Sequence, residues 1–158
     1  MGHGRHLKAS PGTLFALTVI LGLTACEGGL APESDDSVGT IRGTVTYLGQ
    51  WPPEDSVRDL RFVALRFVPA DTSDFLQLNR IEVSRQLEYG LASDTFSVRG
   101  VGTGVFPYSG IARQVTENLF SWAPLGLVSE NDGVIILGAG ETIDVNVTVD
   151  FAHIPRFP

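Results

Sequence analysis

The chain contains few of the side chains that enzymatic catalysis requires. After residue 6 the only histidine is His153, which lies in a proline-rich tail. A Ser-His-Asp triad needs a histidine as its general base, so such a triad is improbable. Gly-x-Ser-x-Gly, P-loop, His-Glu-x-x-His and dinucleotide-binding motifs do not occur. With 18 acidic side chains, some pair would reach the spacing for glycoside hydrolysis by chance alone. We therefore expect no catalytic residue and no enzymatic activity.

Metal and cofactor sites have equally little support. Residues 100–104 (GVGTG) lie between predicted strands, which indicates a turn rather than a phosphate-binding loop. Residues 130–133 (ENDG) lack the alternating ligands of an EF-hand and better fit a hairpin turn before Val134. The single cysteine excludes an intrachain disulfide and a cysteine-based zinc cluster. The sequence therefore predicts no bound metal and no cofactor.

Two tryptophans are the remaining candidates for ligand binding. Trp51 lies in the predicted loop 49–55, and Trp122 lies in the segment 120–124; both segments contain proline. Large rigid rings could stack on a sugar or a peptide, or each ring could close one end of the fold. Exposure of both rings on one surface would favour ligand stacking, whereas burial of both would favour the structural alternative.

The N-terminal segment has the features of an export signal. Arg5 and Lys8 form a positive start, and residues 14–23 are an uninterrupted apolar run of ten. A bilayer-spanning helix takes about 20 residues, so this run is too short to be one. We interpret residues 1–25 as a signal peptide.

The one cysteine stands directly after this signal. Leu23-Thr24-Ala25-Cys26 resembles the lipobox of bacterial lipoproteins, in which the cysteine is acylated and becomes the mature N-terminus; the alternative is an ordinary secretory signal. The resemblance implies lipidation of Cys26, anchoring in the bilayer through the acyl chains, and a place in the cell envelope. Glu27, where an aspartate would suggest inner-membrane retention, favours the outer membrane.

The charge of the chain excludes nucleic acid as a partner. The formal charge is −7, and removal of Arg5 and Lys8 with the signal peptide would take it to −9, the wrong sign for binding phosphates.

Residues 26–38 (CEGGLAPESDDSV) are acidic and nearly free of apolar side chains, which predicts a flexible linker. The predicted organisation is signal peptide 1–25, linker 26–38, domain 39–151 and C-terminal tail 152–158.

From residue 39 onward, alternation of apolar and polar residues predicts β-strands. The clearest case is 141–151 (ETIDVNVTVDF), and 40–48 alternates in the same way. Segment 75–87 alternates imperfectly and fits either a strand or a short helix. Further candidates are 60–68, 94–101, 105–114, 125–128 and 133–137. Seven or eight short strands with no long helical stretch predict an all-β fold, a single antiparallel β-sandwich.

Several of these segments resemble the transthyretin-like and carboxypeptidase-regulatory-like β-sandwich families. The resemblance rests on 41–45 (IRGTV), 94–98 (DTFSV), 105–112 (VFPYSGIA) and the valine-rich closing strand. It departs from the family pattern where Phe-Pro-Tyr at 106–108 replaces the usual Gly-x-Tyr. The resemblance implies a prealbumin-like sandwich over 40–151, with another immunoglobulin-like topology as the alternative.

The expected function follows from these features together. An anchored, acidic β-sandwich without catalytic groups is typical of a binding module, whose partner would be an envelope protein or a glycan. The alternative is a structural accessory subunit of an envelope complex with no ligand of its own.

Overall fold

The computed structural model describes Met1 and residues 37–118 and 120–156, which form β-strands joined by turns and short 3-10 segments. The predicted all-β class is confirmed. Within the described residues there are nine strands, three of which (β3, β5 and β8) have only three residues each and raise the number above the seven or eight expected. The strands are β1 (Val38–Leu48), β2 (Asp59–Leu65), β3 (Ile81–Val83), β4 (Ser93–Gly102), β5 (Gly104–Phe106), β6 (Tyr108–Gln114), β7 (Trp122–Leu127), β8 (Ile135–Leu137) and β9 (Thr142–Asp150).

Sheet A consists of β4, β1 and β9, with β1 in the middle. Along β1, Ile41, Val45 and Tyr47 are buried and Thr46 is exposed, as the period of two predicts. β4 is antiparallel to β1, but β9 is parallel to it, with Val147 opposite Val45. The parallel pair corrects the prediction of an antiparallel sandwich. β1 and β9 are the first and last strands, and no tight turn joins them, so they can pair in either the parallel or the antiparallel direction.

Sheet B is antiparallel throughout and has the order β3-β2-β6-β7. Its inner face carries buried Phe62 directly opposite Ile111. The register against β7 shifts between Ile111 and Ala112, and Pro124 of β7 pairs at this bulge. Proline cannot donate to the ladder and is tolerated at such positions.

Sheet C consists of β5 and β8 alone, with Val105 opposite Ile136. The prediction of one strand over 105–114 is wrong, because Pro107 separates β5 from β6 and the two halves pair with different partners. The proline ring fixes φ and removes the main-chain N–H, so a continuous ladder ends there.

The turn at Glu130–Gly133 carries the chain from sheet B to sheet C. Asn131, Asp132 and Gly133 all have positive φ, at 50°, 54° and 81°. Asn and Asp enter this region more readily than other side chains, and the Asn131 amide donates to the carbonyl of Val134 at 3.0 Å. The expected hairpin is wrong, because β7 pairs with β6 whereas β8 pairs with β5.

The inner faces of sheets A and B pack on each other to form the core. Phe62 of sheet B stacks on Phe96 of sheet A, with ring centroids 4.2 Å apart and planes 9° apart. Phe96 is the ladder partner of Gly43, and its ring lies over that glycine. Two sheets packed face to face agree with the predicted sandwich.

Candidate binding groove

Trp51 lies in the loop after β1, and its ring packs among three other aromatic rings. The ring centroids lie 4.5 Å from Tyr47, 4.7 Å from Phe151 and 4.9 Å from Tyr89. The indole N–H donates to the main-chain carbonyl of Leu91 at 3.1 Å. These contacts join the segments that follow β1, precede β4 and follow β9, so the ring holds one end of the domain together.

Two polar groups of this aromatic cluster, the Trp51 N–H and the Tyr89 hydroxyl, donate to main-chain carbonyls, whereas the buried Tyr47 hydroxyl has no hydrogen-bond partner among the described residues. The Tyr89 hydroxyl donates to the carbonyl of Pro52 at 2.6 Å. Tyr47 is buried, and burial raises the pKa of its phenol well above the ordinary value. For Trp51 the geometry therefore favours the structural alternative over ligand stacking.

Trp122 lies in a different environment, on the outer face of sheet B. It is the first residue of β7, opposite Gln114 of β6, and it is half-buried. The sequence predicts that this strand begins at residue 125, after the proline, but the bulge at Ala112 accommodates Pro124 and lets the strand start earlier. Because the ring stands on the face of the sheet that does not pack against the core, one side of it borders an open depression.

This depression, which we call the outer groove, has a volume of about 190 Å³. Its lining consists of apolar and aromatic side chains: Val63, Phe75, Leu76, Leu78, Ile81, Val83, Ala112, Phe120 and Trp122. Four of them are large and strongly exposed, with exposed fractions of 57% for Leu76, 75% for Leu78, and 47% for both Val83 and Phe120. Contiguous exposed apolar surface of this kind marks sites of interaction.

One wall of the outer groove is built by the 3-10 turns Thr72–Leu76 and Leu78–Arg80. The Asp71 carboxylate accepts from the main-chain N–H of Ser73 at 2.7 Å, and Asp74 accepts from that of Ala70 at 2.8 Å. Hydrogen bonds from the Ser73 hydroxyl and main chain lower the pKa of Asp71. This capping fixes the turn that presents Phe75 and Leu76 to the groove.

A second wall is built by the loop before β7. The main-chain N–H of Phe120 donates to the side-chain oxygen of Asn118 at 2.9 Å, and the Ser121 hydroxyl donates to the Asn118 carbonyl at 2.7 Å. These local bonds hold Phe120 beside Trp122 at the rim of the sheet.

The lining of the outer groove contains no ionisable side chain, so it offers no acid, base or nucleophile. Its chemistry is the desolvation of an apolar group against aromatic and aliphatic side chains. The one histidine in the described part, His153, lies beyond β9 and pairs with Asp150 at 2.8 Å on the surface. Within residues 37–118 and 120–156, no three His, Cys, Asp or Glu side chains come together as metal ligands would.

Sequence reasoning found one groove residue, Trp122, and missed most of the others. Phe75, Leu76 and Leu78 belong to 3-10 turns, whose apolar residues follow neither the period of a strand nor that of an α-helix. Residues 75–83 (FLQLNRIEV) are nevertheless rich in apolar side chains, although they show no clear period. Such a density is unusual for an exposed loop and could have indicated a binding surface.

Cys26, residues 2–25 of the predicted signal peptide and most of the predicted linker lie outside the described residues. In the part of the chain that is described, no helix has the length and apolar character to cross a bilayer. Comparisons with models of protein families, with curated proteins and with solved structures found no match to this chain.

Proposed function

We propose that this protein is a lipid-anchored, non-catalytic binding module of the bacterial cell envelope, whose outer groove holds an apolar part of a protein partner. The observation that carries the proposal is the outer groove itself, where Leu76, Leu78, Val83 and Phe120 remain exposed beside Trp122. Covering apolar surface contributes roughly 25 cal/mol per Å². A partner that fills the groove thus gains binding energy from side chains that the isolated domain leaves in water.

The lining favours a protein partner over a glycan. Sugar recognition combines aromatic stacking with several hydrogen bonds to hydroxyl groups, whereas the only polar atom among the lining side chains is the indole nitrogen of Trp122. An apolar peptide side chain has no such requirement and matches this lining.

We further infer an immunoglobulin-like or prealbumin-like sandwich as the scaffold. The packing of sheet A on sheet B supports this topology, as does the long central strand β1 between β4 and β9. The scaffold keeps the outer groove on a rigid sheet, where a partner meets a largely preformed surface.

Acylation of Cys26 and anchoring in the outer membrane are part of the same proposal. They are supported by the lipobox-like LTAC sequence and the ten-residue apolar run before it. In cell fractionation, the full chain should partition with membranes and the Cys26→Ala variant with the soluble fraction, since the acyl chains on Cys26 anchor stably and an apolar run of ten residues does not. A Cys26→Ala variant that remains in the membrane fraction contradicts the anchor.

The binding proposal is tested by crosslinking the full chain in intact cells and identifying what is attached to it. Trp122→Ala should lose a specific crosslinked protein, because the variant removes the largest ring of the groove. Val105→Thr is the matched control: Val105 is 51% exposed but lies on sheet C, away from the outer groove. An identical set of partners for Trp122→Ala and the unmodified chain would show that the groove is not the binding site.

A further inference from the structure

We propose that the outer groove receives an extended peptide segment, which adds as a strand along β3 and places alternate apolar side chains in the groove. This inference rests on the proposed function and deepens it, because it names the conformation of the partner and the main-chain atoms that would hold it. Strand addition of this kind combines main-chain hydrogen bonds with pockets for every second side chain.

The direction of the main-chain groups of β3 follows from its pairing with β2. The N–H of Ser84 donates to the carbonyl of Phe62 at 2.9 Å, and the N–H of Arg66 donates to the carbonyl of Arg80 at 3.0 Å. The main-chain N–H and carbonyl groups of Arg80, Glu82 and Ser84 therefore face β2. Since successive residues of a strand face opposite sides, the main-chain groups of Ile81 and Val83 point away from β2.

β3 is an edge strand of sheet B, so no further strand of that sheet lies on this side. The N–H of Ile81 is already used, because it closes the preceding 3-10 turn by donating to the carbonyl of Leu78. The N–H and carbonyl of Val83 have no hydrogen-bond partner in the described part of the chain. Val83 is 47% exposed, so this donor and acceptor pair is open to a neighbouring strand.

The same two residues line the outer groove. Ile81 and Val83 are ladder partners of Leu65 and Val63, and the side chains of Val63, Ile81 and Val83 all border the groove. A strand beside β3 would continue the pleat of sheet B, so that alternate side chains of the peptide stand on the groove side. Hydrogen bonds at Val83 and apolar contacts in the groove would thus be made by one extended segment.

The size of the groove selects a short segment over a second copy of the domain. Nine residues line it, whereas a stable interface between folded proteins takes about 20–30 residues from each side. The wall carries acidic groups at Asp71 and Asp74 and a basic group at Arg80, none of which takes part in an ion pair among the described residues, so its charge does not select the flanks of the segment. A short extended peptide with alternating apolar residues is the occupant that fits.

The first experiment selects displayed random peptides of about twelve residues, longer than a typical strand, against the detergent-solubilised full chain. Synthetic copies of the selected peptides are then titrated by fluorescence anisotropy. We expect selected sequences in which apolar and polar residues alternate. N-methylation of single amides in such a peptide should weaken binding by about tenfold, the loss of one hydrogen bond, at no more than two amides, two residues apart, that donate to the outward-facing carbonyls of Ile81 and Val83, and should have little effect elsewhere. Failure to select any peptide, or a selected peptide that no single N-methylation weakens, overturns the proposal.

The second experiment changes only the protein. Val83→Pro removes the N–H that faces away from β2. The ladder to β2 keeps all its hydrogen bonds, because it does not use this N–H, and edge strands tolerate proline at such positions. Val83→Ala is the matched control, because it trims the side chain and keeps the N–H. We expect Val83→Pro to weaken binding of the selected peptide by about tenfold more than Val83→Ala, with both variants folded by circular dichroism.

The outcomes separate this inference from the proposed function. Equal binding by Val83→Pro and Val83→Ala, together with loss of binding in Trp122→Ala, would overturn strand addition and leave a groove that binds through side chains. Undiminished binding in Trp122→Ala would overturn both. A concentration-dependent dimer that blocks peptide binding, seen by analytical ultracentrifugation, would instead identify a second copy as the occupant and overturn the peptide.

Discussion

At the scale of single residues, the two tryptophans have the same side chain in opposite settings. Trp51 contacts Tyr47, Tyr89 and Phe151 and donates its N–H to a main-chain carbonyl. Trp122 is half-buried and borders the outer groove. The sequence placed Trp51 in a loop but could not assign its role, because the rings around it come from segments that are distant along the chain.

We expect these two settings to separate stability from binding. Trp51→Ala should lower the free energy of unfolding by roughly 2–3 kcal/mol, somewhat below the value for a fully buried ring because Trp51 is half-buried. Trp122→Ala should lower it by less than about 1 kcal/mol, since little packing is lost at a partly exposed site. Urea denaturation of both variants measures the difference. A larger loss for Trp122→Ala than for Trp51→Ala would contradict the roles assigned here.

At the scale of elements, regular alternation was sufficient to locate strands but not to pair them. β9 (Thr142–Asp150) lies within the predicted 141–151, because valines at every second position can be buried only in a strand. Its parallel partner β1 is about a hundred residues away, and no local pattern encodes that pairing. The break between β5 and β6 could have been predicted from the sequence, because Pro107 has no N–H to donate to a ladder. The 3-10 turns that build the groove could not, because their apolar residues follow no regular period.

Gly43, in the middle of β1, provides an element-scale prediction. A Cβ at this position would overlap the carbonyl oxygen of Val145 and lie 2.8 Å from the ring of Phe96. Gly43→Ala should therefore cost at least about 3 kcal/mol, because backbone and a core ring would both have to move. The loss is read from thermal unfolding.

Gly138→Ala is the control for this prediction. Its Cβ would lie 3.0 Å from the carboxylate end of Glu141, which accepts from the Gly138 N–H at 2.7 Å. A shift of a few tenths of an ångström by this flexible side chain relieves the contact, so the cost should stay below about 1 kcal/mol. Equal stability of the two variants would mean that the close approach at Gly43 does not constrain the fold.

At the scale of the whole molecule, the edges of sheets A and B are joined by a charged contact. Arg85, which follows β3, donates to the carboxylate of Asp94 and to the carbonyl of Thr95 on β4, both at 2.7 Å. Burial alone would raise the pKa of Asp94, but hydrogen bonds from Arg85 and from the N–H groups of Glu88 and Thr95 outweigh it. The pKa of Asp94 is therefore lowered.

This contact makes the free energy of unfolding depend on pH. A carboxyl whose pKa is lower in the folded state stabilises the fold above its unfolded pKa of about 3.9, and this contribution is lost as the pH falls through the folded pKa. Asp94→Asn should lower the free energy of unfolding by about 1–2 kcal/mol at pH 7, and by progressively less as the pH falls through the lowered pKa of Asp94.

The measurement is urea denaturation between pH 2 and pH 7. Asp55→Asn serves as the control, because Asp55 is exposed and forms no ion pair within the described residues. It should follow the unmodified chain at every pH. A constant difference between Asp94→Asn and the unmodified chain over this range would show that the charge of Asp94 contributes nothing.

The parallel pairing of β1 with β9 also determines how the domain would respond to mechanical load. Nine residue pairs run from Thr40 opposite Thr142 to Leu48 opposite Asp150. Tension applied between the start of β1 and the end of β9 pulls the two strands along their length in opposite directions, so the hydrogen bonds of the ladder are loaded together in shear rather than opened one after another. A domain tethered through its N-terminal side would accordingly resist unfolding when a partner pulls at its C-terminal end.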